Sequence, residues 1–291
     1  MVALHIQHKT TYRYRYPVAL GPHRLMLRPR ESRDLRVTAG DLDITPPAAV
    51  TWAHDVFGNA VATTSFSTPA DSLCVNSWFD LELHTVAWPI FDVAASAVSF
   101  PFRYTDAEWT DLGALATLQY ADPTGRLRSW AQAFVRATPT DTLALLKDLC
   151  AGISAWILYQ SRDDEGTQTP LQTLDRGWGS CRDFAVLFAE AARSLGFGAR
   201  IVSGYLFVPD AGTGIVGVSG PGSTHAWAEV YVPGAGWITF DPTNRAVGGF
   251  NLIPVAVARD IAQVVPVAGS FVGMTDAFIG MAVEVNVRAV S

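Results

Sequence analysis

The spacing of apolar residues changes along the chain, and this change is the strongest constraint on the fold. Residues 1 to about 104 alternate apolar and polar positions between Pro, Gly and Asn breaks, which is the period of half-buried β-strands. From about residue 123 the apolar residues recur at helical spacing, and after Gly198 the alternation returns. Helices followed by strands in one block favour an α+β fold. The sequence therefore predicts an N-terminal antiparallel β domain over residues 1–110 and an α+β domain over residues 111–291.

Three local patterns predict individual elements. Gly58-Asn59 lies between two apolar runs and predicts a hairpin turn. The alternating Tyr and Arg residues that begin at Tyr12 predict an edge strand with its charges in solvent. Thr138-Pro139 predicts the start of a helix, because Pro fits the first helical turn. The apolar face of that helix is predicted to carry Leu143, Leu146, Leu149, Ile153 and Ile157.

Composition excludes several classes of function. The chain has 291 residues, of which 49% are hydrophobic and 16% charged, so it is globular, and its net charge of −6 argues against a nucleic-acid partner. No apolar run approaches the roughly 20 residues of a membrane span, and no signal segment follows Met1. A cytoplasmic location without membrane contact is expected. Cys74, Cys150 and Cys181 match neither a disulfide framework nor a zinc site, and no metal or cofactor is expected.

One stretch, "DRGWGSCRDFAVLFAEAARSLGFGAR" (175–200), places a cysteine at the mouth of a predicted helix. The apolar stripe of that helix consists of Phe184, Leu187, Phe188, Ala191 and Leu195. Cys181 precedes or begins the first turn, where free backbone N–H groups and the helix dipole lower the pKa of a thiol. A small cysteine packed under the helix is the alternative, and this stretch alone leaves both interpretations open.

A catalytic cysteine needs a base and a group that orients the base. Five of the six histidines lie before residue 85, so His225 in "GSTHAWAEVYVPGAGWITFDPTN" is the candidate base. It follows a glycine-rich loop, and Asp241 ends the next strand. A structural histidine, and a turn carboxylate before Pro242, are the alternatives. Cysteine, histidine and aspartate in this arrangement can perform acyl transfer.

The two strands around residues 233–236 can pair in two registers. A three-residue loop from Pro233 to Ala235 makes the apolar face of the hairpin continuous and brings Asp241 diagonally beside His225. A four-residue loop would mix the faces and separate the two side chains. The sequence therefore predicts the three-residue loop, with Asp241 accepting a hydrogen bond from the imidazole.

At these motifs the sequence resembles the transglutaminase-like superfamily. The resemblance is carried by "RGWGSCRDFAVLFAEAARSLGFGARIVSGYL" and "THAWAEVYVPGAGWITFDPTN", and "TYRYRYPVALGPHRLMLRPR" is similar to the N-terminal region of bacterial members. The resemblance implies a papain-like α+β core and metal-independent thiol chemistry. It implies that Cys181 is the nucleophile, His225 the general acid and base, and Asp241 the orienting carboxylate. The family carries an aromatic residue near Tyr159, whose hydroxyl is a candidate oxyanion donor; an ordinary half-buried tyrosine is the alternative.

Two tryptophans flank the predicted site. Trp178 and Trp227 are candidates for the walls of an apolar substrate slot, and a purely structural role is the alternative. Asp183 is expected to support the helix N-terminus and to face away from the sulfur.

The expected function is hydrolysis of a peptide or protein amide through a thioester. Transfer to an amine, as in a transglutaminase, and a non-catalytic peptide-binding module are the alternatives.

Overall fold

A computed structural model describes residues 1–162, 166–208 and 223–290. Most of the glycine-rich loop that precedes His225 falls in residues 209–222 and lies outside the described residues. The helices are α1 (Asp106–Leu112), α2 (Arg126–Gln132), α3 (Thr142–Trp156), α4 (Pro170–Arg176) and α5 (Cys181–Ser194). The strands are β1 (Val2–Leu25), β2 (Leu35–Thr45), β3 (Ala48–His54), β4 (Ala60–Phe66), β5 (Ala70–Leu83), β6 (Ser99–Phe100), β7 (Thr140–Asp141), β8 (Leu158–Tyr159), β9 (Trp178–Gly179), β10 (Gly198–Leu206), β11 (Ser223–Val232), β12 (Gly236–Asp241), β13 (Ala246–Val247), β14 (Leu252–Ala258), β15 (Val267–Val272) and β16 (Phe278–Ala289).

The N-terminal strands form an antiparallel sheet in the order β2-β5-β1-β4-β3. The long strand β1 serves two sets of neighbours: its first half lies against β5, and its last residues lie against β4. Leu4 and Ile6 are fully buried while His5 between them is not, so side chains alternate between the core and the opposite face. The antiparallel β structure predicted for this region is confirmed.

Strands from the far end of the chain complete this sheet. β16 pairs with β1 from Leu4 to Tyr14, and β15 pairs with β1 near its end. β1 is therefore central, and the prediction of an edge strand is wrong, although the alternation holds because Tyr14 is buried between exposed Arg13 and Arg15. Residues 267–289, which the sequence groups with the second domain, thus pair with the first sheet. The division at residue 110 stays a prediction.

The second sheet has the order β13-β12-β11-β10-β14 and is antiparallel throughout. Helix α5 packs on one of its faces, where Phe188 and Phe240 have ring centroids 5.2 Å apart. Ala226 and Ala228 of β11 lie in the same buried cluster and, being small, let the helix approach closely. The fold is the predicted α+β arrangement, and it places the start of α5 next to the start of β11.

Helix α3 begins later than the sequence predicts. Its N-cap is Asp141, whose carboxylate accepts a hydrogen bond of 2.7 Å from the backbone N–H of Ala144. Thr140 and Asp141 pair with β6, so the chain is still extended there and Thr138-Pro139 does not open the helix. The predicted apolar face is buried at Leu146, Leu149 and Ile153, whereas Leu143 is only partly so. Within the described ranges no helix is long and apolar enough to cross a membrane.

The predicted hairpin connects β3 and β4, and Gly58 adopts a positive φ of 72° in its turn. Asn59 in this turn is completely buried. Its side-chain amide donates to the carbonyl of Val257 and accepts from the N–H of Val257, both at 2.8 Å. Val257 lies in β14, so the hairpin tip of the first sheet is bonded to the second sheet.

Candidate active site

Cys181 is the first residue of α5. Gly177 ends α4 in the left-handed conformation, with φ of 67°. A Cβ on Gly179 would lie 2.9 Å from the Cβ of Asp183, so this position requires glycine. Asp183 in turn accepts a hydrogen bond of 2.8 Å from the backbone N–H of Ser180, which fixes the helix start. The thiol therefore lies at a helix N-terminus, as predicted, where an anion is stabilised.

Cys181 is a partly exposed residue, and its thiol contacts two groups of β11. The side chain of His225 and the backbone N–H of Ala226 both hydrogen-bond to the sulfur. Burial alone would raise the pKa of this thiol. The hydrogen bonds, and the positive charges of His225 and Arg182, outweigh burial and lower the pKa below its ordinary value.

The imidazole of His225 connects the thiol to a carboxylate. Its Nε2 lies 2.8 Å from Oδ2 of Asp241, so Nδ1 is the nitrogen that faces the sulfur. Burial lowers the pKa of His225, but the charge of Asp241 and the hydrogen bonds to Asp241 and Cys181 raise it to about 10. A lowered thiol pKa beside a raised imidazole pKa favours transfer of the proton from Cys181 to His225.

Asp241 is buried and held by the turn that follows it. The backbone N–H groups of Thr243 and Asn244 donate to Oδ1 at 3.0 and 3.3 Å, and Nδ2 of Asn244 donates to Oδ2 at 2.7 Å. Burial raises the pKa of Asp241, but His225 and Asn244 lower it overall, so the carboxylate is ionised. Sequence reasoning missed Asn244. The signal was "DPTN", since aspartate at a turn bonds backbone groups two and three residues on.

The register of β11 and β12 is the predicted one. The observed pairs are Tyr231 with Trp237, Val230 with Ile238, and Ala228 with Phe240. The loop has three residues, and Gly236 has a positive φ of 75°. The predicted hydrogen bond between His225 and Asp241 is confirmed.

Trp227 supports His225 from behind. It is 1% exposed, and its ring stacks on the imidazole with centroids 6.0 Å apart. The prediction that Trp227 walls an open substrate slot is wrong, because its side chain fills a buried cluster with Val202 and Val257. The structural alternative holds for this residue.

Tyr159 and Trp178 lie on the paired strands β8 and β9. Tyr159 is the register partner of Gly179. Its ring and the ring of Phe184 are nearly perpendicular, with centroids 6.1 Å apart. Burial and the negative charges at Cys181 and Asp241 raise the pKa of its hydroxyl, which therefore keeps its proton. Trp178 is partly exposed on the neighbouring strand. Both side chains thus lie close to the start of α5.

The carboxylate of Asp183 is occupied by groups other than the thiol. It is fully buried and accepts hydrogen bonds from the backbone N–H of Gln168 at 2.7 Å and from Nη2 of Arg162 at 3.1 Å. Asp183 thereby ties the chain before α4 to the first turn of α5. No sequence signal identified Arg162 or Gln168, because their contact depends on how the loop folds back.

Comparison with known proteins identifies the family. Residues 4–82 match the model of the bacterial transglutaminase-like N-terminal region, and residues 128–242 match that of the transglutaminase-like superfamily. The chain belongs to the transglutaminase-like superfamily. The second match contains Cys181, His225 and Asp241, so the three bonded side chains lie within the transglutaminase-like core.

Relatives and a solved structure resemble this transglutaminase-like protein over most of its length. An uncharacterised protein of Mycobacterium tuberculosis (strain H37Rv) is 29% identical over an alignment that covers 91% of this chain and 86% of the relative. An uncharacterised protein of Mycobacterium leprae is 24% identical and covers 98% of this chain and 99% of the relative. A crystal structure of a "Putative Cysteine Protease" from Cytophaga hutchinsonii has a TM-score of 0.75 at 19% identity, covering 100% of this chain and 91% of that one. At that identity the similarity is one of fold.

Proposed function

We propose that this protein is a cysteine-dependent amidase or peptidase that cleaves an amide bond through a thioester. Membership of the transglutaminase-like superfamily supports cysteine-based catalysis in general. The single observation that carries the finer proposal is the series of contacts from Cys181 through His225 to Asp241 at the start of a buried helix. In this proposal Cys181 is the nucleophile, His225 the acid and base, and Asp241 the orienting group.

In the first half of the reaction the thiolate of Cys181 attacks the carbonyl carbon of the amide. The C–S bond forms as the carbonyl π electrons move onto oxygen. The imidazolium of His225 then gives its proton to the amide nitrogen. The electron pair on oxygen re-forms the C=O bond as the C–N bond breaks, and the amine leaves. The thioester and a neutral imidazole remain. Asp241 holds the imidazole with Nδ1 toward the sulfur in both states.

In the second half water is the acyl acceptor. His225 takes a proton from the water as its oxygen attacks the thioester carbonyl, and the C–S bond then breaks. The products are the carboxylic acid and the restored thiolate–imidazolium pair. A primary amine in place of water would give transglutamination with the same three side chains.

Two donors are suited to the oxyanion. The backbone N–H of Cys181 belongs to the first helical turn, whose N–H groups have no carbonyl partner within the helix. Tyr159 is the candidate for the second donor, since it pairs with Gly179, two residues before Cys181, and burial raises the pKa of its hydroxyl, which keeps its proton. Removing one such donor lowers kcat by roughly 10²–10³-fold in comparable enzymes.

The test is to incubate the protein with Gln-containing peptides, with and without a primary amine. Backbone cleavage, or ammonia release in the absence of the amine, supports hydrolysis. Incorporation of the amine, which also releases ammonia from Gln, supports transglutamination. Cys181→Ala should abolish either activity, and Cys74→Ala is the matched control because this partly exposed thiol lies in the N-terminal sheet. If the Cys181→Ala variant stays active, or if neither reaction occurs with the wild type while the peptides bind, catalysis by Cys181 is refuted. The cytoplasmic location stays a prediction from the sequence.

A further inference from the structure

A strip of apolar side chains lies open near Cys181. Trp156, the last residue of α3, is 78% exposed, and Leu158 of β8 is 71% exposed. Ile157 between them is buried, so both neighbours point outward. Trp178 is the register partner of Leu158 and shares its face. Trp156, Leu158 and the partly exposed Trp178 form what we call the apolar strip. Adjoining exposed apolar side chains are typical of binding surfaces.

The position of the apolar strip fits a substrate that reaches the thiol. Trp178 precedes Cys181 by three residues, which an extended chain spans in about 11 Å. A peptide whose amide lies at the sulfur would therefore bring a side chain two or three residues away onto the strip.

The backbone beside the apolar strip can also pair with an extended peptide. The N–H groups of Leu158 and Gln160 bond to the carbonyls of Gly177 and Gly179. The backbone N–H and C=O of Tyr159 then point toward the other edge of β8, which among the described residues carries no neighbouring strand. A peptide that adds a strand at this edge gains main-chain hydrogen bonds.

One guanidinium group contacts the apolar strip, and a second is bonded to the helix that carries Trp156. Arg176 is exposed and lies over the ring of Trp178, 5.5 Å from its centroid. Arg245 is exposed and donates to the Ser154 hydroxyl at 2.8 Å, in the last turn of the helix that ends at Trp156. The neighbouring carboxylate Asp175 is already paired with Arg126. Among the described residues, two arginines without a partner carboxylate in the contacts above therefore lie on this side, on a chain whose net charge is −6.

The backbone of Arg245 gives an independent indication. Its φ is +54°, the only positive φ among non-glycine residues in the described part of the chain. The left-handed conformation disfavours a side chain by roughly 1–2 kcal/mol. A long cationic side chain held at such a position, next to the turn of Asp241, is consistent with a role for its charge.

We propose that the apolar strip and its two arginines form the specificity subsite, and that they bind an extended peptide carrying an apolar residue next to Asp or Glu. The apolar side chain lies two or three positions from the reacting amide, and the carboxylate meets Arg176 or Arg245. This inference rests on the proposed function, because Cys181 sets the position of the peptide.

The test uses three acetylated peptides that carry Leu-Glu, Leu-Lys or Ser-Glu. Each is made in a fluorescent form for binding and in a chloroacetamide form that alkylates Cys181. The Leu-Glu peptide should bind at least tenfold more tightly than the other two. The chloroacetamide of the Leu-Glu peptide should also alkylate Cys181 at least tenfold faster than the chloroacetamides of the other two peptides. For each variant, these rates are divided by the rate with iodoacetamide on that variant.

Variants separate the apolar and the charged contacts. Leu158→Ser or Trp156→Ser should remove the preference for Leu over Ser. Arg245→Gly should weaken the preference for Glu over Lys, and because glycine accepts a positive φ this variant should keep its stability. Val272→Ser, on the C-terminal strand β15 that pairs with β1, and Arg33→Gln, in the N-terminal region, change exposed positions. They are the controls and should leave both preferences unchanged.

The outcomes distinguish this subsite from the proposed function. If Cys181 reacts with iodoacetamide as a thiolate but the three peptides bind alike, the subsite is wrong and the proposed function stands. If the thiol is inert while the Leu-Glu peptide binds through Leu158 and Arg245, the subsite stands and the proposed function is overturned.

Discussion

At the scale of single residues, the reactivity of Cys181 depends on a few contacts made by neighbouring strands. Burial alone would keep the thiol protonated, and the groups that reverse this effect are His225 and the N–H of Ala226. Asp241 keeps the imidazole charged and oriented, and Asn244 holds Asp241. Each of these contacts gives a separate expectation.

Replacing His225 should slow the alkylation of the Cys181 thiol at neutral pH. In His225→Gln the thiol loses a charged hydrogen-bond partner while burial persists, so its pKa rises. We expect alkylation of Cys181 by iodoacetamide, followed by mass spectrometry, to fall at least tenfold at pH 6.5, about the effect of one pKa unit. His54→Gln changes an exposed histidine and is the control. An unchanged inflection of the pH–rate curve in His225→Gln would contradict the assigned pair.

Replacing Asn244 should impair the orientation of Asp241 and His225 more than the binding of substrate. Asn244→Ala removes the 2.7 Å donor to Oδ2 of Asp241, the oxygen that also bonds His225. Since a hydrogen bond to a charged group contributes roughly 1.5–3 kcal/mol, kcat should fall about 10- to 100-fold with little change in KM. The measurement is steady-state kinetics on the amide that the assay with Gln-containing peptides identifies as the best substrate. Unchanged kcat would show that the backbone N–H groups alone suffice to hold Asp241.

At the scale of elements, the hairpin β3–β4 joins the two sheets. Asn59 satisfies both backbone groups of Val257, and Phe57 of the same turn packs on the cluster that contains Trp227. Trp227 stacks on His225. A turn of the N-terminal region therefore supports the wall behind the candidate base.

Truncating Asn59 should destabilise the whole protein. Asn59→Ala leaves the N–H and C=O of Val257 buried without their side-chain partner, and each unsatisfied group costs roughly 1–3 kcal/mol. We expect the free energy of unfolding in urea to fall by about 2–6 kcal/mol. Asn76→Ala, which removes an exposed contact with Gln7, should change it by less than about 0.5 kcal/mol. Equal losses in the two variants would argue against the coupling of the sheets through Asn59.

At the scale of the whole molecule, β1 carries a buried polar contact between the two sheets. His8 lies between the hydroxyls of Tyr205 and Thr10, with its ring nitrogens 3.1 and 3.0 Å away. Tyr205 belongs to β10 of the second sheet. Burial lowers the pKa of His8 from 6.5 to about 4, so the imidazole is neutral in the folded protein.

Acid should therefore weaken the fold through His8. Below pH 6.5 the unfolded chain binds a proton that the folded chain does not, so stability falls as the pH drops toward about 4 and levels off below it. The loss attributable to His8 is about 3 kcal/mol. His8→Gln should flatten the decline of unfolding free energy between pH 6.5 and 4, while His54→Gln should not. The same slope in wild type and His8→Gln would contradict a buried neutral His8.

The sequence by itself determined the features that depend on neighbouring residues. The alternation of β1, the helix that starts at Cys181 and the register of β11 with β12 all follow from local spacing. A one-residue slip in a short hairpin would turn its apolar face outward, so one register was far better than the other. That register also brought His225 and Asp241 together, which is why the core of the candidate site could be predicted.

Only the tertiary structure decided which distant segments meet. Alternation shows which face of β1 is buried, but every strand offers the same backbone donors and acceptors along its edges. Nothing local in the sequence of β1 therefore identifies β16 as its neighbour. The contact of Asn59 with Val257, and the burial of Trp227 behind His225, likewise depend on the packing of whole sheets. The sequence specified the chemistry near Cys181, and the long-range packing decided which side chains support it and which lie open to a substrate.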